Sequence, residues 1–362
     1  MSPKTERLKK HLDDLILHNR IPGIQYSVVD AVGIQFQYAG GMRDIRALEP
    51  VTTDTTFMAS SSTKVLTAAA ILQLVEKGQI QLHDTLTAHY PRHPYGDAVT
   101  IKHLLVQTSG IPNPLPLRWL HSISEHADFN EERALQQAMH RHPKLMFQPG
   151  EKYAYSNISY WLLGKVVESA SGMTYSDYLH ENFFKRLNIP PEQAGFAIPD
   201  MRRHATGYQR KFSATGLFLY LMMDRRAIRE TVKGRFSLNP MYMNGPAYGG
   251  LICSSTGLGR ILQDLLRESP ILLSSESRSL FFAPQASSRG QGIGMTLGWR
   301  TGRLNNVAFY GKPGGGPGFC SNVRLYPAKG IGIAWLANET GVSEREINHL
   351  SDSLDMHWLT DG

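Results

Sequence analysis

The sequence predicts an α/β (α+β) fold in which an antiparallel sheet is flanked by both terminal helices and a mainly helical region is inserted. Apolar side chains recur at helical spacing at both ends of the chain, and short strand patterns lie inside each terminal helix. The middle of the chain carries mostly helical patterns and loops. The order helix–strands and then strands–helix therefore predicts one sheet with both helices on one face.

The N-terminal segment is predicted to be a helix followed by a β-hairpin. Its helical stripe consists of Leu8, Leu12, Leu15 and Ile16. Strand patterns follow at residues 24–29 and 34–38, close enough in sequence to pair as a hairpin.

The C-terminal segment is predicted to complete the sheet with four successive antiparallel strands, at 296–300, 307–311, 319–326 and 331–336. A final helix begins with the capping box from Ser343 to Glu346. Its apolar face is formed by Ile347, Leu350, Leu354 and Trp358.

The length of 362 residues exceeds one ordinary core, so one large domain or two closely packed domains are expected. We divide the chain into a discontinuous α/β domain, residues 1–92 and 246–362, and a mainly helical inserted domain, residues 93–245. The functional cleft is expected between them.

Ser61 and Lys64 form the most informative pattern, S-x-x-K at the start of a predicted helix that stops at Gly78. Residues three apart lie on one helix face, so the amine of Lys64 can reach the hydroxyl of Ser61. A serine hydroxyl is a weak nucleophile until a base takes its proton, and a desolvated lysine can be that base. Alone, the pattern also fits an ordinary helix start.

Two further patterns follow in order. Tyr155 and Asn157 form a Y-x-N that opens a helix, and a phenol near two ammonium groups is expected to ionise below its usual pKa of about 10. Lys312 and Gly314 form a K-x-G in a glycine-rich strand, where a substrate can lie against the backbone. A second Y-x-N begins at Tyr242, but Gly245 and Pro246 follow it instead of a helix, which favours Tyr155.

The order S-x-x-K, Y-x-N, K-x-G resembles the serine β-lactamase and penicillin-binding-protein superfamily, in particular its class C-like branch with the family VIII carboxylesterases. Further likeness lies at residues 69–78, 100–112, 162–164 and 330–338. The resemblance implies the β-lactamase/transpeptidase-like fold and two-step acyl transfer through Ser61, with Lys64 and Tyr155 sharing the proton transfers. It also implies an oxyanion hole made by the backbone N–H groups of Ser61 and Gly315, and a Lys312 that lowers the pKa of Tyr155 and attracts anionic groups. An adjacent Asn157 amide can orient the substrate carbonyl or the lysine.

Pro313 departs from the family pattern, whose K-x-G usually has Thr or Ser in the middle to help bind a substrate carboxylate. Proline has neither hydroxyl nor N–H, and this favours a carboxylesterase acting on small or medium acyl esters. A D,D-carboxypeptidase or class C-like β-lactamase stays open as an alternative, as does a non-enzymatic penicillin-recognising protein.

Composition limits which other classes of protein and of site the sequence can encode. The two cysteines, Cys253 and Cys320, offer neither a disulfide framework nor a metal cluster, and no cofactor is predicted. No apolar run approaches a membrane span and no signal-peptide pattern is visible, so a cytoplasmic location is expected.

The formal charge is +7, and residues 202–235 hold nine Lys or Arg around an apolar run, 217–223. This segment is interpreted as a core-packed helix with a basic flank or as a lid, and nucleic-acid binding is not expected.

Overall fold

The computed structural model describes residues 2–114, 119–211, 227–341 and 343–360. The α-helices in these ranges are α1 (Pro3–Leu17), α2 (Lys64–Glu76), α3 (Leu86–His89), α4 (Ile101–Leu105), α5 (Glu131–Arg141), α6 (Asn157–Ser171), α7 (Tyr175–Leu179), α8 (Pro246–Gly249), α9 (Ser255–Leu266), α10 (Ser275–Phe282) and α11 (Glu344–Leu359). Short 3₁₀ turns cover Ser60–Thr63, Ile123–Asp128 and Pro327–Lys329, and a π-turn covers His180–Phe184.

The strands are short in the middle of the chain and long at its two ends. They are β1 (Gly23–Val29), β2 (Ile34–Asp44), β3 (Glu49–Pro50), β4 (Phe57–Met58), β5 (Leu120–Ser122), β6 (Ala194–Gly195), β7 (Tyr208–Arg210), β8 (Ile228–Val232), β9 (Arg235–Leu238), β10 (Met241–Met243), β11 (Ile252–Cys253), β12 (Arg300–Leu304), β13 (Val307–Gly316), β14 (Phe319–Tyr326) and β15 (Ile331–Ala337).

The main sheet has seven strands in the order β12-β13-β14-β15-β1-β2-β3, and neighbours run antiparallel. The N-terminal strand β1 therefore lies in the interior of the sheet, with Ile24 opposite Ala337 of β15. This confirms the predicted joining of the two chain ends.

Both terminal helices pack on one face of this sheet, as predicted. Leu8 and Leu12 of α1 and Leu354 of α11 are fully buried there against Trp335. The other face packs against α9, and the same cluster of buried side chains continues into α2 and α6. One apolar core thus runs from the sheet into the inserted region. The division of the chain into two domains, with boundaries at residues 93 and 245, stays a proposal.

One local expectation is corrected. Residues 296–299 lie outside any strand, with a bend at residues 297–298, and the outer strand β12 starts only at Arg300. The described parts of the basic segment include a small sheet, β7-β9-β8, and the interpretation of the segment as a core-packed helix or a lid stays open. Several of its arginines are paired with acids, for example Arg235 with Glu339 at 2.7 Å. The apolar run 217–223 lies outside the described residues.

Among the described residues, no helix combines the length and the apolar character that a membrane crossing requires.

Candidate active site

Ser61 lies on the 3₁₀ turn Ser60–Thr63, and Lys64 is the first residue of α2. The sequence predicted an α-helix already at Ser61, whereas the structure places a tighter turn there. Side chains at i and i+3 eclipse in a 3₁₀ turn, and the Lys64 amine lies 3.1 Å from Ser61 Oγ. The predicted pairing of these two side chains is thus present. The helix also ends as expected, with Gly78 at a φ of +67°.

Ser60, the residue before Ser61, has a φ of +47°. Non-glycine residues seldom adopt this conformation, which costs of order 1–3 kcal/mol and is found mostly at functional sites. Its buried hydroxyl has no hydrogen-bond partner in the described structure. The Thr63 hydroxyl holds the Ser60 carbonyl at 2.7 Å. The turn that presents Ser61 is therefore strained, and neighbouring groups hold it in place.

The Lys64 amine is buried among oxygen atoms. It contacts Asn157 Oδ1 at 2.8 Å and the backbone carbonyl of Tyr248 at 2.5 Å, besides Ser61. Burial lowers the pKa of Lys64 well below its usual value, and the nearby charge of Lys312 lowers it further. The Tyr248 carbonyl could not be identified from the sequence, because a backbone oxygen leaves no side-chain signal.

Tyr155 brings its hydroxyl to the same point. Its oxygen lies 2.6 Å from Ser61 Oγ and 3.2 Å from Asn157 Oδ1. Asn157 begins α6, and the Ser156 side chain caps that helix. Burial raises the pKa of Tyr155, and this effect exceeds the lowering by the hydrogen bond with Ser61. The expectation of an unusually acidic phenol is therefore wrong, because the side chain is desolvated.

Lys312 lies on β13, which passes directly beside the 3₁₀ turn. The hydroxyl of Ser62 donates to the Lys312 carbonyl at 2.9 Å and also bonds Ser321 of β14, which in turn donates to Ala59. This buried chain of hydroxyls joins the strand to the turn. The Lys312 amine lies 5.1 Å from the centre of the Tyr155 ring, and burial lowers its pKa to about 7.

The glycines of β13 allow the strand to approach the turn closely. A side chain on Gly314 would collide with the Ala59 carbonyl and would lie 2.9 Å from the Ser62 nitrogen. Gly315 follows and is exposed, and Pro313 pairs with Asn322 of β14. Lys312 and Gly314 thus lie against the turn that carries Ser61.

Tyr242 lies elsewhere. It belongs to β10, opposite His121 of β5, and its hydroxyl accepts from the Ile198 N–H at 3.1 Å. Of the two Y-x-N patterns, the structure brings that of Tyr155 to Ser61.

Arg300 borders the site on the Lys312 side and was not singled out from the sequence. It lies opposite Gly311, next to Lys312, and its charge lowers the pKa of Lys312. The guanidinium donates to the Tyr153 hydroxyl at 2.9 Å and pairs with Glu344 at 2.7 Å. Arg300 lies on β12 and Lys312 on β13, so the position of Arg300 near the site follows only from the register in which these two strands pair.

The family model described as Beta-lactamase matches residues 6–354, nearly the whole chain. The chain belongs to the beta-lactamase family. As a member of this family, which includes β-lactamases and penicillin-binding proteins, it is a serine hydrolase, and the predicted resemblance is confirmed at the level of the superfamily.

This beta-lactamase family member is similar to two named proteins at about a quarter identity. Protein flp of Staphylococcus aureus strain MW2 is 24% identical over 98% of the chain and 68% of its own length. For flp of other strains, the match covers only half of the relative's length. Penicillin-binding protein 4* of Bacillus subtilis strain 168 is 26% identical over 86% of the chain and 67% of its own length.

The fold of the family is shared with the D-amino acid amidase of Ochrobactrum anthropi SV3, solved with D-phenylalanine. The TM-score is 0.81 at 18% identity, over 98% of this chain and 99% of that one. The likeness confirms the predicted β-lactamase/transpeptidase-like fold.

Proposed function

We propose that this serine hydrolase is a carboxylesterase acting on small or medium acyl esters through an acyl-enzyme on Ser61. The observation that carries the proposal is Pro313, which lies on the strand beside Ser61 where relatives usually place a hydroxyl. Proline supplies neither hydroxyl nor N–H to a substrate carboxylate. Losing one charge-assisted hydrogen bond costs roughly 1.5–3 kcal/mol, so uncharged esters are favoured over carboxylate-bearing β-lactams or peptides.

Lys64 is the proposed base in acylation. Asn157 Oδ1 and the Tyr248 carbonyl can only accept hydrogen bonds, so a neutral amine directs its two N–H groups to them. Its lone pair then faces Ser61 Oγ, 3.1 Å away. The lowered pKa of Lys64 makes this neutral form accessible. Ser61 attacks the ester carbonyl while its proton moves to Lys64.

Tyr155 is the proposed acid for the leaving group. Its raised pKa keeps the phenol protonated before the reaction, and its oxygen lies 2.6 Å from Ser61 Oγ, beside the bond that breaks. When the tetrahedral intermediate collapses, the C–O bond to the alcohol breaks and the alkoxide takes the phenolic proton. The acyl-enzyme then contains a Lys64 ammonium and a Tyr155 phenolate, which stabilise each other.

Deacylation returns both protons. A water molecule gives a proton to the Tyr155 phenolate and attacks the acyl carbonyl, and Ser61 Oγ leaves with the proton held by Lys64. The cycle consumes one water and releases an alcohol and a carboxylic acid. The oxyanion of each step is assigned to the backbone N–H groups of Ser61 and Gly315.

A D,D-carboxypeptidase or β-lactamase activity is the second candidate, and Arg300 favours it. Its guanidinium lies on the strand next to Lys312 and could bind a carboxylate that Pro313 does not. Against it, Glu344 already pairs with Arg300. Hydrolysis of small amides belongs to the same test, because the name of the Ochrobactrum relative refers to an amidase.

A side-by-side substrate panel tests the proposal. Purified wild type and Ser61→Ala are assayed with p-nitrophenyl acetate, butyrate and octanoate, nitrocefin, a D-Ala-D-Ala peptide and D-phenylalanine amide. We expect the wild-type kcat/KM for at least one ester to exceed the values for nitrocefin, the peptide and the amide by tenfold or more. Ser61→Ala should show no activity. Faster turnover of nitrocefin, the peptide or the amide would overturn the carboxylesterase assignment.

A further inference from the structure

A cavity of about 340 Å³ lies at the end of the hairpin that contains the proposed oxyanion strand. Pro317 and Phe319 of this hairpin line it, and so does Met58, three residues before Ser61. Pro317 is two residues beyond Gly315, in the turn that follows β13, and therefore at most about 7 Å away along the backbone. The cavity therefore begins close to the reacting carbonyl, on the side away from Lys312.

The cavity is adjacent to the nucleophile's own turn. A side-chain carbon on Gly316 would lie 3.1 Å from Ser60 Oγ and 3.4 Å from the methyl group of Met243. Met243 belongs to the same short strand as Met241, which lines the cavity. Methionine side chains are flexible and adapt to irregular apolar contacts, so Met243 is positioned to yield to a chain that passes from Ser61 into the cavity.

The lining has an apolar part and a rim of paired charges. Leu238, Met241 and Phe319 are among the apolar residues. Each arginine of the rim lies beside a carboxylate: Arg43 with Glu49 at 2.5 Å, Arg202 with Asp200 at 3.1 Å, and Arg229 with Asp44 at 3.8 Å.

His204 adds no charge to the lining at neutral pH, because burial lowers its pKa to about 4. The lining holds Arg43, Arg202 and Arg229 against Asp44 and Glu49, and Asp200, which lies outside the lining and pairs with Arg202, balances the third arginine. The cavity therefore suits an uncharged apolar ligand rather than an anion.

The geometry points to this cavity as the acyl-chain subsite of the enzyme, which accommodates a medium-length uncharged acyl group. The inference rests on the proposed esterase function and names its substrate class. The volume equals that of about eleven water-sized groups at about 30 Å³ each, enough for such a chain. An acetyl group is too short to reach the cavity, whereas an octanoyl chain enters it.

A chain-length series tests the subsite. We expect kcat/KM of the wild type to rise from p-nitrophenyl acetate to the octanoate by up to about fourfold per buried methylene. Leu238→Trp fills the cavity and should lower the octanoate-to-acetate ratio at least about tenfold, the equivalent of roughly two methylenes. Met241→Trp is the second filling variant, for the case that Leu238→Trp does not fold.

Leu350→Trp is the matched control, since Leu350 lines a separate groove between the terminal helices and the ratio should not change. A second measurement compares the rates at which methyl and octyl fluorophosphonates label Ser61, which needs the nucleophile but no ester turnover. If the wild type hydrolyses no ester but is labelled faster by the octyl reagent, and the filling variants lose this preference, the proposed function fails and the subsite stands. If the filling variants keep the wild-type ratio in both assays, the subsite is overturned.

Discussion

The Tyr155 hydroxyl lies 2.6 Å from Ser61 Oγ, closer to the nucleophile than the Lys64 amine at 3.1 Å. Both groups also contact the same amide oxygen of Asn157. Four polar groups thus share one small network, in which a proton can leave Ser61 on one side and reach the leaving group on the other.

Ser61→Ala should abolish ester hydrolysis while the fold persists, because only a hydroxyl is removed. The loss in kcat should be on the order of 10³-fold or more, as for other nucleophile deletions. Intact-mass spectrometry after treatment with a fluorophosphonate should show one adduct on the wild type and none on the variant. A labelled variant would show that another residue is the nucleophile.

Lys64→Ala and Tyr155→Phe should each lower kcat on the order of 10²–10⁴-fold, and the double variant should lose much less than the product. Groups that act as one proton-transfer unit are not additive. Steady-state kinetics of the three variants measures this. Tyr242→Phe is the control, because its hydroxyl contacts Ile198 and not Ser61. Near-normal turnover by Tyr155→Phe beside a crippled Tyr242→Phe would reverse the assignment.

The pH profile should depend on the two lysines. Protonation of Lys64 removes the base, so kcat/KM should fall at acid pH with a midpoint below the usual amine pKa. The Lys312 charge lowers the pKa of Lys64, so Lys312→Met should raise that pKa and move the acid limb to higher pH. Lys185→Met, at an exposed ion pair with Glu181, should leave the limb in place. An unmoved limb in Lys312→Met would exclude electrostatic coupling between these residues.

Gly314→Ala should separate the strand from the nucleophile's turn, because the added methyl group would meet Ala59 and Ser62 backbone atoms. A misplacement of about 1 Å can cost on the order of 10²-fold in rate, and we expect such a loss in kcat/KM. Gly33→Ala is the matched control, with no atom within 4 Å of the new methyl group. Equal activities of the two variants, both folded by circular dichroism, would contradict the role of this close approach.

Pro313→Thr should raise kcat/KM for nitrocefin relative to a neutral short-chain ester. One added charge-assisted hydrogen bond is worth roughly 1.5–3 kcal/mol, which predicts a change in the ratio of about tenfold. Loss of the proline ring also loosens the strand, so the ester rate is measured in the same preparation. A folded, active variant with an unchanged ratio would mean that other groups, with Arg300 the first to examine, determine selectivity.

The sheet was predictable because its strands and both terminal helices carry strong local patterns. Strand β12 was misplaced since the chain bends at residues 297–298, and only tertiary contacts determine where pairing starts. The Ser61, Lys64 and Tyr155 side chains were predictable from motif order. The raised pKa of Tyr155 was not, because a sequence shows neighbouring charges but not the burial that outweighs them. The Tyr248 carbonyl and the hydroxyls of Ser62 and Ser321 depend on packing alone.

The interior position of β1 also affects how the protein folds. Ile24 pairs with Ala337, so one of the first strands made on the ribosome waits for one of the last before the sheet can close. The long loop between these two strands must close before any contact offsets the conformational entropy that the chain loses. Folding is therefore slow. Until the loop closes, the edge of β1 that later pairs with β15 stays open and is exposed to aggregation. We therefore expect the soluble yield to depend strongly on expression temperature and on chaperones, even for variants that do not change the folded site.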